Sequence, residues 1–325
     1  MESYPLVLLL LILKDTVMEL KDVMKSYDFN PIESTEKVMR PFLDWSFKYL
    51  FGTEESKPNL IGFLNLLLNP KAKIVDVQFM NNESLPLSVE QKGCVFDILC
   101  KDTNGDRFLI EIQTSQAVNI VDRIIYYTCR LIDRMGKKGS EWDYKDIKKV
   151  YSICLMNFTF EQNPKLRRDI QLCDIEELSV FSDKLNIMLL QLPCLKAESI
   201  SECNANYEFL LYLLKQMQSN MKTVEQLKKE VADTRLPQGT KDLFYKVLDT
   251  ADLASLTEKE RIRYESDLKN YMDTMSCIEF AENRGRTEGR EEGKIEVAKV
   301  LKSKGSDMEL ICQATGLSIE QIEKL

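Results

Sequence analysis

A chain of 325 residues carries 44 Lys and Arg against 52 Asp and Glu, a net charge of −8, and no histidine. The missing imidazole excludes His general bases, Ser-His-Asp and Cys-His arrangements and His-ligated zinc together. Nine cysteines stand singly, at 94, 100, 129, 154, 173, 194, 203, 277 and 312, with no CxxC pair. That pattern fits free thiols in a reducing cytoplasm rather than a disulfide or zinc scaffold.

Near the start, Leu6 to Leu13 is apolar, but eight residues cannot cross a bilayer. Glu2 stands where a basic leader region belongs, and no small-residue cleavage site follows. A cytoplasmic location without a membrane role is expected, with residues 1–36 as an N-terminal extension. Helices are predicted at Asp44–Phe51 and Lys57–Leu68, the second stopped by Asn69-Pro70. Lys73–Phe79 alternates weakly and reads as a first strand, followed by a hairpin over 93–114. Val118–Met135 is an amphipathic helix ending at Gly136. Val150–Phe158 is nearly continuously apolar, as a central buried strand requires, and strands follow at Asp169–Cys173 and Asn186–Leu192. From about Ser201 the pattern is helical, at Tyr207–Met217, Thr223–Val231, Lys241–Ala251 and Glu258–Met275. Residues 279–304 are charged, with Gly285, Gly289 and Gly293 on one helical stripe. They read as a solvated helix of marginal stability or as a tail through which copies of the chain associate. Met308–Ile322 resembles the first two helices of a helix-turn-helix, but Glu320 and Glu323 replace the basic residues of a DNA reader, so a packing element is expected. The domains are thus set at 1–36, 37–200, 201–278 and 279–325.

The hairpin carries the chemistry. A three-residue loop, Thr103-Asn104-Gly105, would pair Asp102 with Asp106 and hence Asp97 with Glu111. A two-residue Asn104-Gly105 turn would pair Asp97 with Ile112 and mix the faces, because a one-residue slip flips every side chain. The first register keeps Phe96, Ile98, Cys100, Phe108, Ile110 and Ile112 on one apolar face and Asp97, Glu111 and Gln113 on the other. Two facing carboxylates either lie on a solvated face, paired with Lys101 and Arg107, or hold a hard divalent cation such as Mg²⁺ or Mn²⁺.

Four segments resemble the Rpn family of recombination-promoting nucleases, described also as transposases, within the PD-(D/E)XK nuclease superfamily. Asp44-Trp-Ser-Phe-Lys-Tyr-Leu-Phe-Gly52 is similar to the family's first helix. Phe96–Cys100 and Phe108–Gln113 are similar to its Asp strand and Glu-x-Gln strand, and Arg123-Ile-Ile-Tyr-Tyr127 to the helix that follows. The resemblance runs from about Lys37 to Ala197. It implies a restriction-endonuclease-like α/β core, a mixed central sheet flanked by helices, with an all-α C-terminal region. It also implies Asp97 and Glu111 as metal ligands, Asp44 approaching the same ion or a nearby water, and Gln113 where the superfamily has its lysine. Lys101 or Arg123 could then supply the missing positive charge; Arg123 is as readily the partner of a carboxylate, and Tyr126 and Tyr127 are packing residues. The loop Gln191-Leu-Pro-Cys194 departs from the family's Glu-Leu-Pro-Lys.

The activity so implied is Mg²⁺- or Mn²⁺-dependent hydrolysis of DNA phosphodiesters, linked to recombination or transposon-like mobility. The alternative is a catalytically degenerate nuclease fold acting as a DNA-binding or assembly module. Residues 37–200 hold 22 Lys and Arg and 22 Asp and Glu, a net of zero, so the acidic excess lies in the ends. Local basic runs remain, at Arg130, Arg134, Lys137 and Lys138, at Lys145, Lys148 and Lys149, and at Lys165, Arg167 and Arg168. Backbone-directed DNA binding needs such patches rather than a basic total.

Overall fold

Two short helices, a mixed sheet and a crossing helix set the frame of the molecule. The computed structural model describes residues 36–80, 83–84, 94–95, 97–115, 119–136, 143–159 and 164–325. The apolar run at Leu6–Leu13 and, but for Glu36, the expected N-terminal extension lie outside the described residues, as does Phe96. The first helix, α1 (Asp44–Phe51), buries Phe47, Leu50 and Phe51; α2 (Lys57–Leu68) has Pro58 in its first turn and stops at Asn69, whose φ is 41°. Asparagine tolerates that left-handed backbone better than most residues, and it ends the helix there.

Next come β1 (Val77–Phe79), a two-residue pair β2 (Glu83–Ser84) and β3 (Cys94–Val95), and the hairpin β4 (Ile98–Asp102) and β5 (Arg107–Gln113). Helix α3 (Ile120–Asp133) leads to β6 (Val150–Met156), β7 (Arg167–Cys173) and β8 (Val180–Gln191). Six strands form one sheet in the order β1-β4-β5-β6-β8-β7. The pairs β5–β6 and β6–β8 are parallel and the other three antiparallel. This mixed sheet with helices on both faces is the restriction-endonuclease-like α/β fold expected of the sequence. The first strand is shorter than Lys73–Phe79 because Asn65 captures both backbone groups of Ile74, at 2.8 and 2.9 Å, before pairing begins.

Parity along the strands decides which layer each residue joins. Ile98, Cys100, Phe108, Ile110, Ile153, Leu155, Met188 and Leu190 face α1, α2 and the C-terminal helices in one core. On the opposite face Leu99, Leu109 and Val150 meet Leu131 and Met135, while Cys154, Met156, Ile187 and Leu189 meet Ile120 and Ile124 of α3. Apolar residues on both sides of β6 are what a central parallel strand needs.

The helical half consists of α4 (Asn206–Ser219), α5 (Val224–Ala232), α6 (Gln238–Thr250) and α7 (Glu258–Ser303). It shares the main core, to which Leu210, Leu214, Phe244 and Val247 all contribute. At Gly62, α2 comes close to α6, since a Cβ there would come within 2.4 Å of Leu243. Gly62→Val is therefore expected to destabilise the protein by about 1–3 kcal/mol through overpacking, read as a lower urea midpoint with unchanged slope. Unchanged stability would mean that the Leu243 side chain swings aside or that α6 stands further from α2.

Helix α7 runs 46 residues, joining what the sequence divides at Met275 into one element. Its N-terminus has the Thr257–Glu260 capping box, and its far end is held by Ala298 packing with Ile311 and Ile322 of the last two helices, α8 (Met308–Thr315) and α9 (Ile319–Glu323), and with Leu317 between them. Pairs such as Arg284–Glu288 lace the stretch between. Gly285, Gly289 and Gly293 face open space. Among the described residues no helix is long and apolar enough to cross a membrane.

Candidate active site

The turn of the hairpin decides where its carboxylates go. Asp102 Oδ1 accepts the N–H groups of Asn104 and Asp106, both at 2.9 Å, and the Asp102 N–H donates to the Asp106 carbonyl at 3.0 Å. Gly105 closes the loop at φ 85°, a left-handed backbone that glycine adopts without strain. The three-residue loop fixes the register as Ile98–Ile110, Leu99–Leu109, Cys100–Phe108 and Lys101–Arg107. One step further sets Asp97 opposite Glu111.

Asp97 precedes β4, and its carboxylate takes over from the ladder there. Asp97 Oδ2 accepts the Ile112 N–H at 2.8 Å, while the Asp97 N–H donates to Glu111 Oε1 at 3.4 Å. Each acid is thus tied to the strand that bears the other. Helix α3 lies over them, so Glu111 is only 9% exposed and lines a crevice with Gln113, Arg123, Tyr127, Ser152 and Cys154. The open, solvated face that the sequence also allows is therefore not what forms. Lys101 sits four residues up the strand from Asp97, roughly 13 Å away at the usual rise. Arg107 turns to the Leu131 carbonyl at 2.7 Å.

Burial dominates the electrostatics. It pushes the Glu111 carboxyl up to about 8, helped by the Asp97 charge and opposed by the Asp97 N–H, Arg123 and Lys48. Asp97 is pushed up to about 6, again by burial first; its bond from Ile112 and the charges of Lys48 and Arg123 oppose this, while Asp44 adds to it. Two such groups repel once both are ionised, and a cation between them relieves the repulsion.

Arg123 and Gln113 are joined directly, with Arg123 Nη2 donating to Gln113 Oε1. With its oxygen occupied, Gln113 keeps its amide N–H groups as donors. Asp97, Glu111, Gln113 and Arg123 therefore come together as one cluster. Asp44 reaches its edge from α1, held by Lys48 at 2.7 Å.

Lys48 is a residue to which the sequence alone assigns no role. Asp44, Lys48 and Gly52 share one stripe of α1, spaced by four. At Gly52 a Cβ would come within 3.2 Å of Ile98, the neighbour of Asp97, so this stripe lies on the start of β4. The i,i+4 spacing of Asp44 and Lys48 is the signal that could have found it. For Asp267 no local signal exists: from α7, its Oδ2 accepts the Trp45 N–H at 2.8 Å and fixes the start of α1. Of the basic runs, Arg130 pairs with Asp133, Lys149 with Asp183 and Arg167 with Asp169, while Lys137 and Lys138 lie outside the described residues. Gln191, which opens the Gln191-Leu-Pro-Cys194 loop, donates its side-chain amide to the Lys165 carbonyl at 3.1 Å.

Residues 41–281 match the model of a family described as PD-(D/E)XK nuclease family transposase. No curated protein and no solved structure matches the chain.

Proposed function

Because the chain belongs to the PD-(D/E)XK nuclease family transposases, we propose that it is a divalent-cation-dependent DNA endonuclease acting in recombination or transposon-like mobility of DNA. The observation that carries this reading is the buried pair of Asp97 and Glu111, both with raised pKa values and tied across one hairpin. The donor set fits Mg²⁺ or Mn²⁺, which take one or two carboxylates and complete their shell with waters and phosphate oxygens. Among the described residues no group of three or more His, Cys, Asp and Glu stands together, unlike the four-ligand shell of a structural zinc. A cation held by Asp97 and Glu111 would supply Lewis acidity toward a phosphate oxygen and offset charge on the leaving oxygen.

The chain's own groups do the rest. Gln113, oriented by Arg123, offers amide donors to a water or to a phosphate oxygen. Lys48 brings the positive charge that the superfamily's lysine supplies from the Gln113 position, and Asp44 holds that ammonium in place. Lys48→Ala should accordingly slow cleavage by about 10²-fold, the usual loss for one charge-stabilising donor, with Lys48→Arg recovering part of it. A Lys48→Ala protein that cuts at the wild-type rate would leave Arg123 as the source of the charge.

The test is incubation of supercoiled plasmid with the protein and Mg²⁺ or Mn²⁺. Nicked and linear products that disappear with a chelator are expected. DNA that is retained but never cut with either ion would favour the degenerate DNA-binding module instead.

A further inference from the structure

The six-stranded sheet ends at β7, an edge that no other strand among the described residues covers. β8 starts at Val180, whereas its pairing with β6 starts only at Leu185. The far part of the β7–β8 pair therefore projects as a two-stranded wing, and residues 171–181 are exposed throughout. The tip is nonetheless built. Asp174 Oδ1 accepts the N–H groups of Glu176 and Glu177, both at 2.9 Å, the Asp174 N–H donates to Ser179 O at 2.8 Å, and Leu178 is held at φ 52°. That backbone is one a leucine rarely adopts, since its Cβ crowds the carbonyl that follows. It presents Ile175, Leu178 and Phe181 at 87%, 85% and 80% exposure, while Ile170 and Leu172 lie exposed on the strand itself. Residues 167–184 carry three basic and five acidic side chains, a net of −2, so the wing repels a phosphate backbone.

We propose that β7 is the seam of a symmetric dimer, in which β7 of a second copy of this chain adds antiparallel and joins the two sheets. The strand is self-complementary in one register. With the two-fold axis at Gln171, Ile170 of each copy opposes Leu172 of the other, and Arg168 of each opposes Asp174 of the other. Arg168, Ile170 and Leu172 alternate along β7 and Asp174 follows it directly, so two apolar pairs would be flanked by two pairs of opposite charge, with Asp174 Oδ2 left for Arg168 while Oδ1 holds the turn. Centring the axis on Ile170 sets Arg168 against Leu172, and centring it on Leu172 sets Ile170 against Asp174. The irregularity in the wing falls on β8, where Gln171 opposes Asn186 but Leu172 opposes Ser182, so β7 remains a continuous strand. Ile170, Gln171, Leu172 and Cys173 form an uncharged run around the axis, without the charge that usually blunts an edge.

An axis relating antiparallel strands stands perpendicular to the sheet at the seam, and the twist of the sheet turns the two copies away from each other on either side of it.

Light scattering on the full chain, without DNA or metal, tests the seam apart from the chemistry. A mass of twice 37.7 kDa is expected, halved by the Ile170→Lys/Leu172→Lys double variant. Gln171→Cys places a thiol on the axis, so oxidation with copper-phenanthroline should give a reducible covalent dimer above the wild-type background. A wild-type mass of one chain at micromolar concentration overturns the proposal. So does a dimer that survives both lysines and gives no covalent link in the Gln171→Cys variant, because its seam, the α7 tail included, would lie elsewhere.

Discussion

Plasmid nicking by the Glu111→Gln protein is expected to fall about 10³-fold while its melting temperature rises. Cleavage falls because the amide cannot take the negative charge that binds a cation, and charge stabilisation at the reacting phosphate carries the largest share of such catalysis. Stability at neutral pH rises because buried Glu111 must take up a proton on folding, whereas glutamine keeps the acceptor for the Asp97 N–H and needs none. Asp97→Asn should behave alike in cleavage, since it retains an acceptor for the Ile112 N–H. Asp97→Ala should lose cleavage too, but at about 1–3 kcal/mol of stability, because it strands a buried N–H. Rates on supercoiled plasmid, set beside melting curves of the same preparations, separate lost chemistry from lost fold. Either conservative variant cutting at the wild-type rate would sink the assignment of these two residues.

The hairpin is legible in the sequence because its information is local. Asp102, Gly105 and the alternation of Phe108, Ile110 and Ile112 suffice to fix the turn, and one turn fixes every pairing beyond it. The α1 and α2 limits are equally plain, since a run of apolar residues at helical spacing ends at Gly52 and Asn69. What covers the carboxylates is not. The stripe Ile120, Ile124, Thr128 and Leu131 marks α3 as amphipathic, yet only the packed structure shows it lying over Glu111 rather than beside it. Unpaired acids are rarely buried, which is why the hairpin by itself favours a solvated face in the sequence. Asp267 lies 222 residues from the Trp45 N–H that it caps, and no window of sequence contains both. The reach of β8 is hidden for the opposite reason: Val180 to Lys184 lacks the alternation of a half-buried strand because neither of its faces is covered.

Stability should fall as pH rises through the neutral range when divalent ions are absent, and Mg²⁺ or Mn²⁺ should restore it only at the upper end. The ordinary carboxyl value for Glu111 is 4.5 and its folded value about 8. Between them the folded protein binds more protons than the unfolded chain, so the free energy of unfolding decreases with increasing pH. The stability contributed by the protonated group is complete below 4.5 and gone above about 8, and Asp97 adds the same sign between 3.8 and about 6. Groups displaced the other way, such as Asp183 and Glu260, lose their contribution only on the acid side. A proton held one pH unit more tightly in the folded chain corresponds to about 1.4 kcal/mol, so the decline should amount to a few kcal/mol, or roughly 5–10 °C of melting temperature in a chain of this size. A divalent cation competes with those protons. It therefore raises the melting temperature at pH 8, where the pair is ready to ionise, and hardly at pH 5, where protons already hold the site. Melting curves in chelator and in excess Mg²⁺ at the two pH values give four numbers for each protein. In Glu111→Gln both the decline and the rescue should largely disappear. Equal rescue by Mg²⁺ in wild type and variant would place the cation somewhere other than between Asp97 and Glu111.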